Sequence, residues 1–446
     1  MASNNVCCVW DVCYIRIACC VPSCSYCLCV PLIKLKIILC EEVAMDVDLQ
    51  IAFGAFFVIA KLMKNERRKP RKQWIRKLYR YRNESRLLNE MDYLHIKNFT
   101  RMTAEDFEIL VNLVGPLVMK KDTNLRKAIS VQDRLALTLR FLASGDSFTS
   151  LQYLFKISKQ SISVIVGETS RALTTTLLGH IKIPSNAEQW LRVSKQFFEH
   201  WQFPHCLGSM DGKHVVITSP FNSGSEYYNY KSNFSIVLFA VVDADYNFIF
   251  VDIGCQGRIS DGGVFKHSSI YKKIMDNTLG LPEDQLLHTI NKNMPFVFLA
   301  DEAFALTNRI MKPYSGMHEK GTCQRKFNYR LSRARRVVEN AFGILSAVFR
   351  VLRKPILLEP EKARYIVMTT VCLHNFLRRN KQSRNIYTPS GTFDEEDGDG
   401  NFVPGNWRIG NSSDLSSFLP IKNLPRKSSM DAKEIRNNFA AYFLNT

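Results

Sequence analysis

Past residue 40 the chain is nearly without cysteine. Only Cys206, Cys255, Cys323 and Cys372 follow, each alone. That excludes the disulfide framework of a secreted module and points to reduced thiols inside a cell. Acid is short as well: 41 Asp+Glu face 60 Lys+Arg, a net charge of +19. The surplus calls for a polyanionic partner, nucleic acid first and an anionic membrane surface second. No apolar run reaches the ~20 residues of a bilayer-crossing helix. The best, residues 51–60, stops at Lys61. Its charge follows the apolar core, the reverse of a signal peptide. With 46% hydrophobic and 23% charged residues, wholesale disorder and collagen are excluded, and 446 residues leave room for two to three domains of about 150 each.

Nine cysteines crowd into residues 7–40. Cys24 and Cys27 form one CxxC, but a closed zinc site usually adds a second pair or histidines, and neither is there. Palmitoylated thiols beside an apolar run are another reading. The plainest expectation is an atypical Cys-rich leader over residues 1–60, with Met45 as an alternative start. Residues 61–89 form a basic arm. Between Lys61 and Arg82 stand eleven basic residues and one acid, with Trp74, Tyr79 and Tyr81 interleaved. Such a block serves as a nuclear-import signal, a phosphate-contacting arm or an exposed helix.

Residues 90–200 read as helical. Thr103 and Asp106 make an N-terminal capping pair before the apolar spacing of Phe107, Leu110, Val111 and Val114. Three short helices follow, broken at Gly145 and Ser158. The last opens with Ser158, Lys159, Gln160 and Ser161, in the manner of a helix-turn-helix whose third helix enters a major groove; a plain helical bundle has the same periodicity.

From residue 204 to 378 the pattern changes to four β-branched, apolar runs, the second and third joined by the turn-forming Asp243–Asn247 segment. One helix over residues 260–277 precedes the fourth run, and a long helix over residues 330–352 follows it. The order β-β-β-α-β-α predicts an α/β fold with a mixed sheet covered by helices. Residues 379–446 turn polar: an acidic, glycine-bearing stretch at 393–401 reads as a disordered linker, ahead of a short amphipathic helix at 430–444 that docks back on the body.

Three acids mark this second half. Asp211 lies in the first strand, Asp301 ends the fourth, and Glu339 lies in the last helix. A carboxylate in an apolar strand is paired, metal-bound or at a solvated end. Three that converge repel one another, and Mg2+ or Mn2+ relieves the repulsion while supporting attack on a phosphodiester. Asp261, at the start of the predicted 260–277 helix, is either a cap for free N–H groups or an auxiliary metal ligand. Arg325, Lys326, Arg330, Arg333, Arg335 and Arg336 make the surface around Glu339 basic, suited to a DNA phosphate backbone.

The pieces RMTAEDF, DRLALTLRFLASGDSFTSLQYLF, MDGKHV, SGSEYYNYK, SIVLFAVVDADYNF, DIGCQGRISDGGVF, ADEAF, NYRLSRARRVVENAFGIL and CLHNFL, in this order over roughly residues 65–380, resemble the PIF/Harbinger-type DDE transposases and the nuclease-like proteins domesticated from them. The resemblance implies an RNase H-like core with Asp211, Asp301 and Glu339 as its catalytic and metal-binding triad. Asp261 matches a further acid counted with the metal site. It also implies DNA nicking at element ends, transfer of the freed 3′-OH, and a separate Myb-like partner protein that supplies DNA binding and nuclear import. Domesticated relatives keep the triad without known transposition, so a DNA- or chromatin-binding protein without nuclease activity is the rival expectation. Oligomers are compatible with either, and no membrane role is expected. The leader has no counterpart in the family pattern.

Overall fold

The computed structural model describes residues 52, 54–61, 77–80, 93–124, 126–259, 261–397, 401–408, 417–420 and 429–445, without the side chains of 77, 80, 93, 94, 261 and 262. The cysteine-rich stretch and most of the basic arm lie outside the described residues. The chain divides into two units, residues 1–74 and Ile75–Thr446. In the first, residues 54–61 are helical and Phe56, Phe57, Val58 and Ile59 are exposed. No described helix is long and apolar enough to cross a membrane.

Past a helical turn at Lys77–Arg80, the second unit continues with helices α1 (Tyr93–Thr100), α2 (Ala104–Val118), α3 (Val131–Ser144), α4 (Phe148–Phe155), α5 (Lys159–Leu177) and α6 (Ala187–Trp201). Their starts follow local chemistry. Thr103, Ser130, Ser147, Ser158 and Asn186 each accept a hydrogen bond from a backbone N–H in the first turn of the helix they open. The expected break at Gly145 is real: φ is +64°, a left-handed C-cap.

The sheet then forms from β1 (Cys206–Val216), β2 (Ser235–Val242) and β3 (Phe248–Gln256), with α7 (Asp261–His267) and α8 (Ser269–Met275) before β4 (Val297–Leu299) and β5 (Ile310–Met311). Strand order is β3-β2-β1-β4-β5. β1, β2 and β3 are antiparallel, whereas β4 runs parallel to β1 and β5 parallel to β4. The predicted hairpin between β2 and β3 is present. Asp243 Oδ1 accepts from the N–H groups of Asp245 and Asn247, and Tyr246 takes φ +63° at the turn.

Helices α9 (Cys323–Val348), α10 (Pro360–Arg379) and α11 (Lys381–Tyr387) follow, then β6 (Phe418–Pro420) and α12 (Met430–Leu444). β1 meets β4 along Cys206–Ser209 and β6 along Lys213–Val215, so β6 continues the edge where β4 stops. One face of the sheet, with Ile236, Leu238, Ala240, Val297 and Leu299, packs on α9 and α10 in a cluster that continues into α2–α5 through Leu110, Leu135 and Leu173. The opposite face, with Val237, Phe239, Val241 and Phe298, packs on α7, α8 and Trp190. Asn375 of α10 ties the halves: its side chain bonds both the N–H and the C=O of Phe248, and the carbonyl of His180.

Three expectations need correction. The single helix over 260–277 is two, because the Ser268 hydroxyl accepts from Tyr271 N–H and starts a new helix. The long helix begins earlier, at Cys323, because Thr322 caps it. The acidic linker is not a linker over 393–397: Asp394 is 1% exposed and bonds Gly405 N–H and the Arg408 guanidinium. The fit was invisible in composition because the partners come from a later turn and from α9. The C-terminal helix docks as expected, with Phe439 and Phe443 against Phe203. Each such buried ring contributes roughly 1.5–3 kcal/mol.

Candidate active site

Alternation along β1 puts Ser209, Asp211, Lys213 and Val215 on the face toward α9. The parallel register pairs Ser209 with Leu299, and two residues further along it sets Asp301, just past β4, beside Asp211. Asp211 is 6% exposed and forms an ion pair with Lys213 Nζ at 3.3 Å. Asp301 accepts from Ala303 N–H at 2.9 Å. Burial, then the charge of Asp211, push the Asp301 carboxyl up to about 6, against the pull of Arg335, that N–H and Lys213. The strand end thus brings two carboxylates into one electrostatic site.

The third acid comes from α9. Its apolar stripe of Val337, Val338, Ala341, Ile344 and Leu345 is buried, with Val348 half-buried. Glu339 lies off that stripe and is ion-paired with Arg335, one turn earlier. Ser209 Oγ donates to the Arg335 carbonyl at 3.4 Å, which fixes α9 against β1. Arg335 is mostly buried. Burial works against its charge, but the fields of Glu339, Asp211 and Asp301 more than offset this and raise its affinity for the proton. Its Nε is buried with no hydrogen-bond partner. A single guanidinium therefore serves all three acids.

The arrangement places the predicted residues unevenly. Asp211 and Asp301 stand together, and Glu339 is joined to them through Arg335. Asp261 opens α7, while its side chain lies outside the described residues. Among the described residues no three His, Cys, Asp or Glu side chains form a group able to hold a metal ion. The donor atoms are nonetheless of the kind a hard divalent cation takes: they are carboxylate oxygens, and Asp301 lies within the field of Asp211. Asp243 is a turn residue, as expected, and Glu302 is exposed.

Of the six predicted DNA-contacting cations, Arg325 is exposed and Lys326 donates to the Leu444 carbonyl at 3.1 Å. Arg330 and Arg333 bond the Gln202 side chain. Arg333 and Arg336 both pair with Glu396, at 3.3 and 2.8 Å. Sequence reasoning missed Glu396, which hid in an acidic stretch, and Lys213, whose i+2 spacing from Asp211 on a strand was the signal.

Residues 210–375 match a family model described as DDE superfamily endonuclease. The ALP1-like protein of Arabidopsis thaliana is 26% identical over 285 residues, 62% of this chain and 69% of that protein. Antagonist of like heterochromatin protein 1, also from Arabidopsis thaliana, is 24% identical over 65% of this chain and 74% of its own length. The candidate nuclease HARBI1 of Xenopus laevis is 25% identical, covering 60% and 73%. No solved structure matches the chain.

Proposed function

Because the chain belongs to the PIF/Harbinger-type family of DDE superfamily endonucleases, we propose that it is a divalent-metal-dependent DNA nuclease of transposase origin. Its site is Asp211, Asp301 and Glu339, and it is capable of strand transfer by the freed 3′-OH. The observation that carries this reading is that Asp301, just past β4, feels the charge of Asp211 on β1, and that Arg335, ion-paired with Glu339 on α9, feels both. The strand order β3-β2-β1-β4-β5, with β2 antiparallel and β4 parallel to β1, supports an RNase H-like core.

Asp211, Asp301 and Glu339, with Asp261 as an auxiliary, would hold Mg2+ or Mn2+, which polarises the phosphate and activates water. Lys213 fixes the orientation of the Asp211 carboxylate. Asp301 accepts the Ala303 N–H through one oxygen, which fixes the orientation of its carboxylate. Arg335 stabilises the acids while no cation is bound. Of the α9 cations, exposed Arg325 and Lys326 face solvent for the phosphate backbone, while Arg330 and Arg333 are held by Gln202, Arg333 and Arg336 by Glu396, and Arg335 by Glu339. Helices α3, α4 and α5 act as a helix-turn-helix with Lys159 and Gln160 exposed for DNA, while Ser158 caps α5 and its hydroxyl bonds that of Ser161. The basic arm directs the protein to the nucleus, with a Myb-like partner assisting.

Asp211→Asn is expected to abolish Mn2+-dependent cleavage of supercoiled plasmid while DNA retention survives. Equal cleavage by variant and wild type discards the enzymatic assignment. A second reading, a domesticated DNA- or chromatin-binding protein, draws on the Arg335–Glu339 pair, which holds the third acid in a non-metal contact, and on one relative's name, an antagonist of a heterochromatin protein. The same experiment separates the two.

A further inference from the structure

A second charged feature lies where three helices end. A cavity of about 180 Å³ is lined by Lys97, Asn98, Arg101, Arg350 and the ends of α9 and α11 at Val348 and Tyr387. Three cations line it and no carboxylate does. Arg101 leaves α1 with φ +66°, a left-handed conformation that L side chains seldom adopt. Its Nε is buried without a hydrogen-bond partner. Burial and the nearby charges of Arg350 and Arg140 make it harder for Arg101 to stay protonated. Arg140 is spoken for, since it pairs with Asp146 at 3.3 Å.

Cations at helix C-termini commonly serve only to satisfy the terminal carbonyls. At the end of α9 that duty belongs to Arg353, whose Nε donates to the Ser346 carbonyl at 2.9 Å. None of Lys97, Arg101 and Arg350 donates a side-chain hydrogen bond to any described residue. A small pocket that gathers three cations, one with an unfilled buried donor, is built to receive an anion with several acceptor oxygens.

We propose that the Lys97–Arg101–Arg350 cavity is a phosphate site that seats one phosphate of the DNA backbone; the identity of the polymer rests on the function proposed above. Nine residues of α9 separate Glu339 from Val348, about 13 Å of helix. The cavity anchors the backbone while the bond to be cut lies at the acids.

The test uses the full chain, a short nonspecific duplex over a range of salt, and inorganic phosphate alone. Arg101→Gln combined with Arg350→Gln is the main variant. Arg350→Gln alone is the second, since Arg350 is exposed and its loss leaves the core intact. For each variant, duplex affinity is expected to fall several-fold and the slope of log affinity against log salt to lessen by about 0.9, one phosphate contact. Inorganic phosphate should raise the melting temperature of the wild type and not that of the double variant. An unchanged slope in both variants overturns the assignment. If phosphate still protects only the wild type in that case, the cavity takes a small free anion instead. Asp211→Asn separates this from the catalytic reading: cleavage that survives in it sinks the nuclease and leaves the salt slope to decide the cavity.

Discussion

Arg335 and Glu339 are ion-paired one helical turn apart on α9, and the charges of Asp211 and Asp301 on the sheet also act on the same guanidinium. An arginine so placed does what a divalent cation would do, so the two compete for the acids. Arg335→Gln should lower the melting temperature of the metal-free protein, because buried carboxylates that lose their counter-charge cost on the order of 3 kcal/mol. It should also enlarge the rise in melting temperature on adding Mn2+. Thermal unfolding with and without Mn2+ checks both. A metal-induced rise no larger than in the wild type would mean that Arg335 stands elsewhere than the cation.

His374 is fully buried on α10, with Nε2 donating to the Tyr246 carbonyl at 2.9 Å and Nδ1 accepting from the Tyr387 hydroxyl at 2.8 Å. Burial, with Arg378 adding to it against the Tyr246 carbonyl, lowers its pKa from 6.5 to about 3. Between those values the unfolded chain binds a proton that the folded chain refuses. Stability is therefore full above about pH 6.5 and falls as pH drops toward 3, by up to about 1.4 kcal/mol per unit from this group. His374→Gln, which keeps a donor for Tyr246, should flatten the urea midpoint against pH between about 6.5 and 4.5. An undiminished slope assigns the proton to another residue.

Much of this was legible where short-range chemistry decides. Thr103 with Asp106, Ser158 and the Asp243–Asn247 turn each act within a few residues, and each formed as read. Asp211 and Asp301 stood out because apolar strands rarely carry carboxylates. What stayed hidden depends on partners far along the chain. β5 and β6 are two and three residues long, too short for a pattern, and exist only because neighbouring strands offer free edges. The acidic segment carries the composition of a linker, yet Asp394 finds Arg408 and Glu396 finds Arg333 and Arg336. Charge counted along the sequence made α9 uniformly basic; in three dimensions part of that charge is already answered.

Glu396 offers the sharpest check on that last point. It accepts from Arg336 at 2.8 Å and Tyr329 at 2.9 Å and pairs with Arg333 at 3.3 Å, its side chain 12% exposed. Burial works to raise its pKa, but the bonds from Arg336 and Tyr329 and the two arginine charges hold it below the ordinary carboxylate range. A carboxylate so held occupies the positions a backbone phosphate would take on α9. Glu396→Gln should therefore move two readouts in opposite directions. Stability should fall by about 2 kcal/mol, the worth of a charged hydrogen-bonded contact, as seen by urea unfolding. Duplex affinity at low salt should rise, and its salt dependence steepen by about one phosphate contact, as Arg333 and Arg336 become free to bind DNA. Lower stability with unchanged affinity would make the segment around Glu396 a structural brace with no bearing on DNA.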